Sequence, residues 1–240
     1  VGITDHDTTD GLEEAITAGI QLGVRVVPGI ELNTQVDDEE IHILGYYIHY
    51  DLPWLQEMLA DIRHARWTRT KKMVENLRRM YNFDITFEEV QSEVTEGAAG
   101  RPHIARVLVK KGIVKDVTEA FEKYIGTECP AYEPRYHLPL EKGIKVIKDA
   151  GGVPVLAHPG LLKDQKYDML AIELGVQGIE AVHSKHTPEQ CKRYEDLARK
   201  HGLIVTGGSD FHGEKGDNMP QLGDIRMNCS VIEELKNLAR

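Results

Sequence analysis

Cysteine is scarce in this sequence. The 240 residues contain three, Cys129, Cys191 and Cys229, odd in number, widely scattered and never in a CxxC pair. That argues against a disulfide framework or a zinc ribbon and fits ordinary thiols in a reducing cytoplasm. Long apolar runs are missing too: none approaches the roughly 20 residues that cross a bilayer, and no signal peptide is visible. Positive charge is in deficit, with a net charge of −10. A chain this acidic does not hold nucleic acid through general attraction to phosphates. No stable DNA binding is therefore expected, and any anionic substrate must be met by local cations or metal ions. There is no internal repeat and no low-complexity stretch. What is present, 41% hydrophobic and 28% charged residues, suffices for a packed core. The length suits one α/β domain with room for an inserted subdomain.

The chain opens on Val1-Gly2-Ile3-Thr4, which reads as the end of a buried strand, so an N-terminal segment is expected ahead of it. A polar loop follows, then a helix over 12–22, with Leu12, Ala15, Ile16, Ile20 and Leu22 at helical spacing, Asp10 and Glu13 resembling a capping box, and Gly23 as its end. Runs at 24–30 and 41–48 read as strands, and the alternation of strand, loop, helix and strand predicts a parallel sheet. From 54 to 81 a long helix is expected, followed by shorter ones near 86–96, 101–112, 116–124 and 139–150. Thr86 with Glu89 forms a second capping-box pattern. Residues 54–137 thus read as a mostly helical insertion between 1–53 and 138–240. The α/β rhythm returns with strands at 153–157, 178–182 and 203–206, and helices near 165–175, 187–201 and 231–239.

Four of these strands run straight into metal-type residues: Asp5-His6-Asp7, Glu31, His158-Pro159 and Asp210-Phe211-His212. In barrels and open parallel sheets the site lies at the carboxyl ends of strands, so residues far apart in sequence converge there. His42 sits between Ile41 and Ile43 and faces away from both. Taken singly, each has an ordinary explanation. A lone His beside a strand is more often a satisfied polar group, and an Asp in a turn usually bonds the backbone. The repeated placement is what points to a metal centre. Imidazole mixed with carboxylate suits zinc, manganese or iron rather than calcium. Glu31 is the natural carboxylate to bridge two ions, which together can bind a phosphate and activate water.

The strings Thr4-Asp5-His6-Asp7, Gly29-Ile30-Glu31, Ile41-His42-Ile43-Leu44-Gly45-Tyr46, Ala157-His158-Pro159 and Gly208-Ser209-Asp210-Phe211-His212-Gly213 resemble the PHP family, named for polymerase and histidinol phosphatase. The resemblance spans nearly the whole chain. It implies an α/β fold, a distorted (β/α)7 TIM-like barrel that here carries a mostly helical insertion, and a site with two or three divalent metal ions (Mn2+, Zn2+ or Fe2+). It also implies His6, Glu31, His42, His158, Asp210 and His212 as metal ligands. His6, Glu31, Asp210 and His212 among them would carry the catalysis, with Asp5 and Asp7 orienting the ligands. One feature departs from the family. PHP proteins begin with a strand bearing a His-x-His pair and then an Asp, and no such strand is present here. The 240 residues are accordingly expected to bind fewer metals, and to hydrolyse less well, than a chain that has it.

Within the insertion, Gly100-Arg101-Pro102-His103-Ile104-Ala105-Arg106 and Pro130-Ala131-Tyr132-Glu133-Pro134-Arg135-Tyr136 look like the branch that contains nucleoside 3′,5′-bisphosphate phosphatases and a 5′→3′ exoribonuclease. Arg101 and Arg135 could clamp phosphate through paired hydrogen bonds, with His103 as a further donor. The alternative is that Arg101 and Arg106 are surface helix residues. The helix at 54–81 carries Arg63, His64, Arg66, Arg69, Lys71, Lys72, Arg78 and Arg79. Such a stripe could carry a short RNA strand, although a charge run is more often a solvated face. His183 and His186 follow the strand ending at 182 and fall near the same rim. The expected activity is hydrolysis, by a metal-activated hydroxide, of a phosphate ester of a small nucleotide or of the end of a short RNA. The competing reading is a non-catalytic domain of the same fold that binds a nucleotide or a protein partner.

Overall fold

A computed structural model describes residues 1–94, 99–213 and 220–240. They divide into two compact units, Val1–Gln56 with His137–Arg240, and Glu57–Tyr136.

The first unit is built on a mixed sheet. Among the described residues its strands are β1 (Gly2–Ile3), β2 (Val27–Val36), β3 (Glu39–Tyr46), β4 (Leu138–Pro139), β5 (Val153–Leu156), β6 (Gly178–His183) and β7 (Ile204–Gly208). They lie in the order β1-β2-β3-β5-β6-β7, with β4 pairing the far end of β2. The sheet is not purely parallel, as the alternation predicts, because β3 runs antiparallel to both β2 and β5. The cause is local. Only Asp37 and Asp38 separate β2 from β3, and Asp37 takes a positive φ of 51°. A connection that short can only fold the chain back on itself.

The same hairpin corrects the expected end of β2. The strand does not stop at Ile30. It continues to Val36 because β3 supplies partners for every residue from Gly29 onward. Glu31 therefore lies inside a strand, at the level where a single parallel bridge joins it to His6. Helix α1 (Leu12–Leu22) has the expected bounds and ends on Gly23 at φ 68°, but its N-cap is Gly11 and not Asp10. Gly11 has no side chain to cap with, and in the preceding turn Thr8 Oγ1 accepts from Asp10 N. Ile20 and Leu22, counted on its apolar stripe, are exposed.

Helix α6 (Leu140–Asp149) contributes Leu140, Ile144, Val146 and Ile147 to the core. Helix α7 spans Lys166–Glu173, and α8 (Pro188–His201) starts in a Thr187–Gln190 capping box. Tyr194 and Ala198 of α8 pack on Ile179 and Ala181 of β6, while α9 (Ser230–Leu238) sends Leu235 against Leu44, Val153, Val155 and Ile204. Each buried aliphatic side chain is worth about 1.5–3 kcal/mol relative to exposure, so the strands are anchored on their outer face by helices.

The second unit is helical: the greater part of α2 (Pro53–Tyr81), then α3 (Phe87–Ser92), α4 (Arg101–Lys110) and α5 (Val117–Ala120), which passes into a π-helical turn at Phe121–Ile125. The Thr86–Glu89 capping box forms in both directions. Residues 95 and 96, the end of the helix expected near 86–96, lie outside the described residues. The core joins Met73, Leu77, Ile85, Val90, Ile104, Leu108 and Ile125. No helix among the described residues is long and apolar enough to cross a membrane.

Candidate metal centre

Three histidine nitrogens converge on one carboxylate oxygen. His42 Nδ1 lies 2.7 Å from Glu31 Oε1, His158 Nε2 3.2 Å and His6 Nδ1 3.9 Å. His42 Nδ1 and His158 Nε2 are themselves 3.3 Å apart. The cluster follows from the sheet. Glu31 and His42 stand on paired strands β2 and β3, with Ile41 and Ile43 buried on the opposite side of the strand from His42. His6 is held beside Glu31 by the bridge between the two backbones, with Asp7 N donating to Glu31 O and Glu31 N to Asp5 O. His158 follows β5, which pairs with β3.

Asp7 fixes this segment. It is buried, takes φ 52°, and its carboxylate accepts from Asn33 N at 3.0 Å and from Asn33 Nδ2. Asp5 is exposed, with an oxygen near Gly11. Asp210 and His212 follow β7. Asp210 takes φ 55°, and its Oδ2 is 3.1 Å from Lys185 Nζ and 3.8 Å from the buried His183 Nε2. The His212 ring is half exposed and lies 5.7 Å from the His6 ring. Asp7, His158 and Asp210 all sit in the left-handed region of backbone space, an arrangement that costs energy and is held in place by its surroundings.

The charges respond to this crowding. Burial alone would raise the Glu31 carboxyl, but hydrogen bonds from His158 and His42 and the charge of His6 outweigh it and hold the group well below the usual carboxylate range. Burial would likewise lower His42, yet its contacts with Glu31 and Glu40 raise it to about 9. His6 is lowered, first by burial and then by His42 against the opposing pull of Glu31. Glu180, buried behind His158, is pushed up to about 7 by burial. His183 is lowered to about 4 by burial and the neighbouring His158.

The residues fit a divalent cation. Ligand atoms of His6, Glu31 and His42 all lie within 4.8 Å of one another. His6 Nδ1 is buried without a hydrogen-bond partner, an arrangement that costs about 1–3 kcal/mol unless something occupies the nitrogen's lone pair. A pH signature follows. In the metal-free chain His42 holds its proton more tightly folded than unfolded. Its stabilisation is therefore complete below its ordinary value of 6.5 and lost as pH rises through about 9. Metal binding runs the other way, because the ligand must surrender that proton, so affinity should climb until pH is about 9 and then level off. Calorimetric titration in buffers of different ionisation enthalpy should show proton release below that value. An affinity indifferent to pH would remove His42 from the ligand set.

Comparison with known proteins gives this geometry its context. A 3′,5′-nucleoside bisphosphate phosphatase of Chromobacterium violaceum is 32% identical over 244 residues, covering 97% of this chain and 84% of that protein. This chain belongs to the PHP-type metal-dependent phosphoesterases. The 5′-3′ exoribonuclease Rnm of Escherichia coli is 32% identical over 226 residues, covering 88% and 74%. A crystal structure from Bifidobacterium adolescentis, assigned as a metal-dependent phosphoesterase, superposes with a TM-score of 0.83 at 33% identity and covers all of this chain and 86% of its own. No family model matches the chain. Homologues in this PHP-type group are hydrolases acting on phosphate esters, and the non-catalytic reading is not favoured.

Of the ligand candidates, the structure groups His6, Glu31, His42 and His158 tightly, with His212 beside His6 and Asp210 beside His183. Sequence reasoning overlooked Glu40, whose Oε1 is 3.4 Å from His42 Nε2, as well as Lys185 and Glu180. The signal for Glu40 was available, two residues before His42 on the same face of a strand. Nothing local marks Glu180.

Arg101, His103 and Arg135 belong to the helical unit. Arg101 opens α4, with its guanidinium over Phe121 at 5.2 Å and over Tyr132 at 5.6 Å. His103 Nδ1 accepts from Gly100 N, which leaves the proton on Nε2. Arg69, also over Tyr132, donates through Nε to Glu133 O and has its pKa lowered by burial and by the charges of Arg101 and Arg135. The basic stripe on α2 is thus divided: Arg69 turns to Glu133 and Tyr132, while Lys71, Lys72, Arg78 and Arg79 are exposed.

Proposed function

We propose that this chain hydrolyses a phosphate ester of a small nucleotide, of the nucleoside 3′,5′-bisphosphate kind, or of the end of a short RNA. The observation that carries the reading is the convergence of His6, His42 and His158 on Glu31 Oε1, in a chain related to enzymes named for those two substrate classes. We infer that His6, Glu31, His42, His158, Asp210 and His212 hold two or three divalent ions, with manganese, zinc and iron all compatible with the donors. Bound ions would supply Lewis acidity, lowering the pKa of water and offsetting phosphate charge. Glu31, with one oxygen already central to three imidazoles, is suited to bridging. Asp7 and Asn33 keep the His6 segment in place.

Arg101, Arg135 and His103 are the candidate phosphate-binding groups. Arg101 stands at a helix N-terminus, where anions are favoured; Arg69 and Arg101 both lie over Tyr132, and the charges of Arg101 and Arg135 act on Arg69. The mixed sheet is compatible with part of a distorted (β/α)7 barrel, and the three free cysteines with a reducing cytoplasm.

A screen of nucleoside bisphosphates, other phosphate monoesters and short 5′-phosphorylated RNAs, with metal content measured on the same sample, tests the assignment. Within it, Arg101→Ala should lower kcat/KM on the best substrate by roughly 1.5–3 kcal/mol, the worth of a charged hydrogen bond. Unchanged kinetics would take Arg101 out of the substrate site.

A further inference from the structure

Strand β6 carries a buried carboxylate that the ligand set does not use. Its register with β7 slips once: Glu180 pairs with Thr206, but Val182 pairs with Gly207, so β6 contains a bulge at Ala181. Ile179 and Ala181 face α8. Glu180 points to the opposite side, and the bulge brings His183, three residues on, to that side as well. A regular strand would have turned His183 towards the helices.

Glu180 is 5% exposed, and its Oε2 accepts a hydrogen bond from His158 N at 2.9 Å. His158 is the residue whose backbone most needs fixing. It sits at φ 26°, ψ 55°, two residues past the end of β5, and from there must direct Nε2 to Glu31 Oε1 and His42 Nδ1. The other oxygen of Glu180 occupies the space beside β7: a Cβ at Gly208 would come within 2.5 Å of Oε1. Gly208 stands two residues before Asp210 on the same chain. One carboxylate therefore touches both turns that deliver candidate ligands from the second half of the sheet.

We propose that Glu180 is a positioning residue: it fixes the left-handed turn at His158 and through it the aim of the His158 imidazole at Glu31. The inference rests on the metal-centre reading. It asks only for an acceptor oxygen at this position, which glutamine retains and leucine, of similar size, does not.

The test is manganese titration of wild type, Glu180→Gln, Glu180→Leu and Gly208→Ala, with a melting curve of each metal-free protein and kcat and KM on the best phosphate ester. Glu180→Leu should bind Mn2+ about 10- to 100-fold more weakly, as expected when a partner behind a ligand is lost. Its kcat should fall while KM stays near wild type, and Glu180→Gln should restore both. Gly208→Ala displaces the carboxylate without removing it and should show the same loss, so it decides the matter if Glu180→Leu does not fold. Wild-type affinity in Gly208→Ala, or in a folded Glu180→Leu, would overturn the proposal. So would a Glu180→Gln protein that loses metal outright, since that would make Glu180 a ligand. A wild-type chain that binds no Mn2+ would instead sink the metal centre itself.

Discussion

A Glu31→Gln chain is expected to bind divalent metal at least about 100-fold more weakly and to hydrolyse phosphate esters at least about 1000-fold more slowly, a loss of roughly 4 kcal/mol in transition-state stabilisation. The substitution changes little in volume, so the argument is electrostatic. Glu31 Oε1 is the one atom near which His6, His42 and His158 all place a nitrogen. It is also a carboxylate that its neighbours keep ionised. A neutral amide cannot bridge two cations or balance their charge, and its NH2 group would present protons to the histidines that face it. The metal-free variant should still fold, because the packing around Ile30, Leu32, Ile41 and Ile43 is untouched. It should nonetheless lose the stabilisation that an ionised Glu31 provides. That contribution comes from a depressed pKa, so it is present above the ordinary carboxylate value and vanishes only in strong acid. Circular dichroism with metal titration reads both effects. Retained metal affinity in a folded Glu31→Gln chain would remove Glu31 from the centre.

Stripping the metal should be the second large effect. A chelator-treated chain should lose turnover and regain it when Mn2+ or Zn2+ is returned. At a free ion concentration of 100 times the dissociation constant, each bound ion adds about 2.7 kcal/mol to stability, so the melting temperature should fall on removal. The drop should be larger above pH 7 than below it. At low pH the proton on His42 partly substitutes for the ion, and that proton is lost as pH approaches 9. A melting temperature insensitive to chelation at pH 8 would count against an ion among these residues.

Much of this was legible in the sequence wherever the signal is local. The bounds of α1, the long helix 53–81, the Thr86–Glu89 cap and the aim of His42 away from Ile41 and Ile43 each depend on periodicity or spacing within a few residues. Features set by pairing were not. β2 runs past Glu31 because β3 folds back beside it, so the expected strand end was a mid-strand position. The Asp10–Glu13 pattern has capping-box spacing, yet the helix takes Gly11 as its N-cap. His6, His42, His158, Asp210 and His212 were visible as residue types suited to metal, but their closeness depends on which strands are neighbours. Glu180 carried no signal at all. Its partner His158 is 22 residues away and is reached through a backbone N–H, and the bulge that puts Glu180 and His183 on one side of β6 is defined by register against β7.

The most direct test of a Glu31-centred phosphoesterase site is stepwise return of Mn2+ to the metal-free chain. Bound metal and phosphate released from a nucleoside 3′,5′-bisphosphate would be measured on each sample, with the Glu31→Gln chain alongside. Phosphate release should appear only as metal binds and reach its maximum when the centre is fully loaded in the wild type, and stay at background in the variant. Turnover before any metal binds, or a fully metal-loaded chain that releases no phosphate from this or any other ester, would contradict the account.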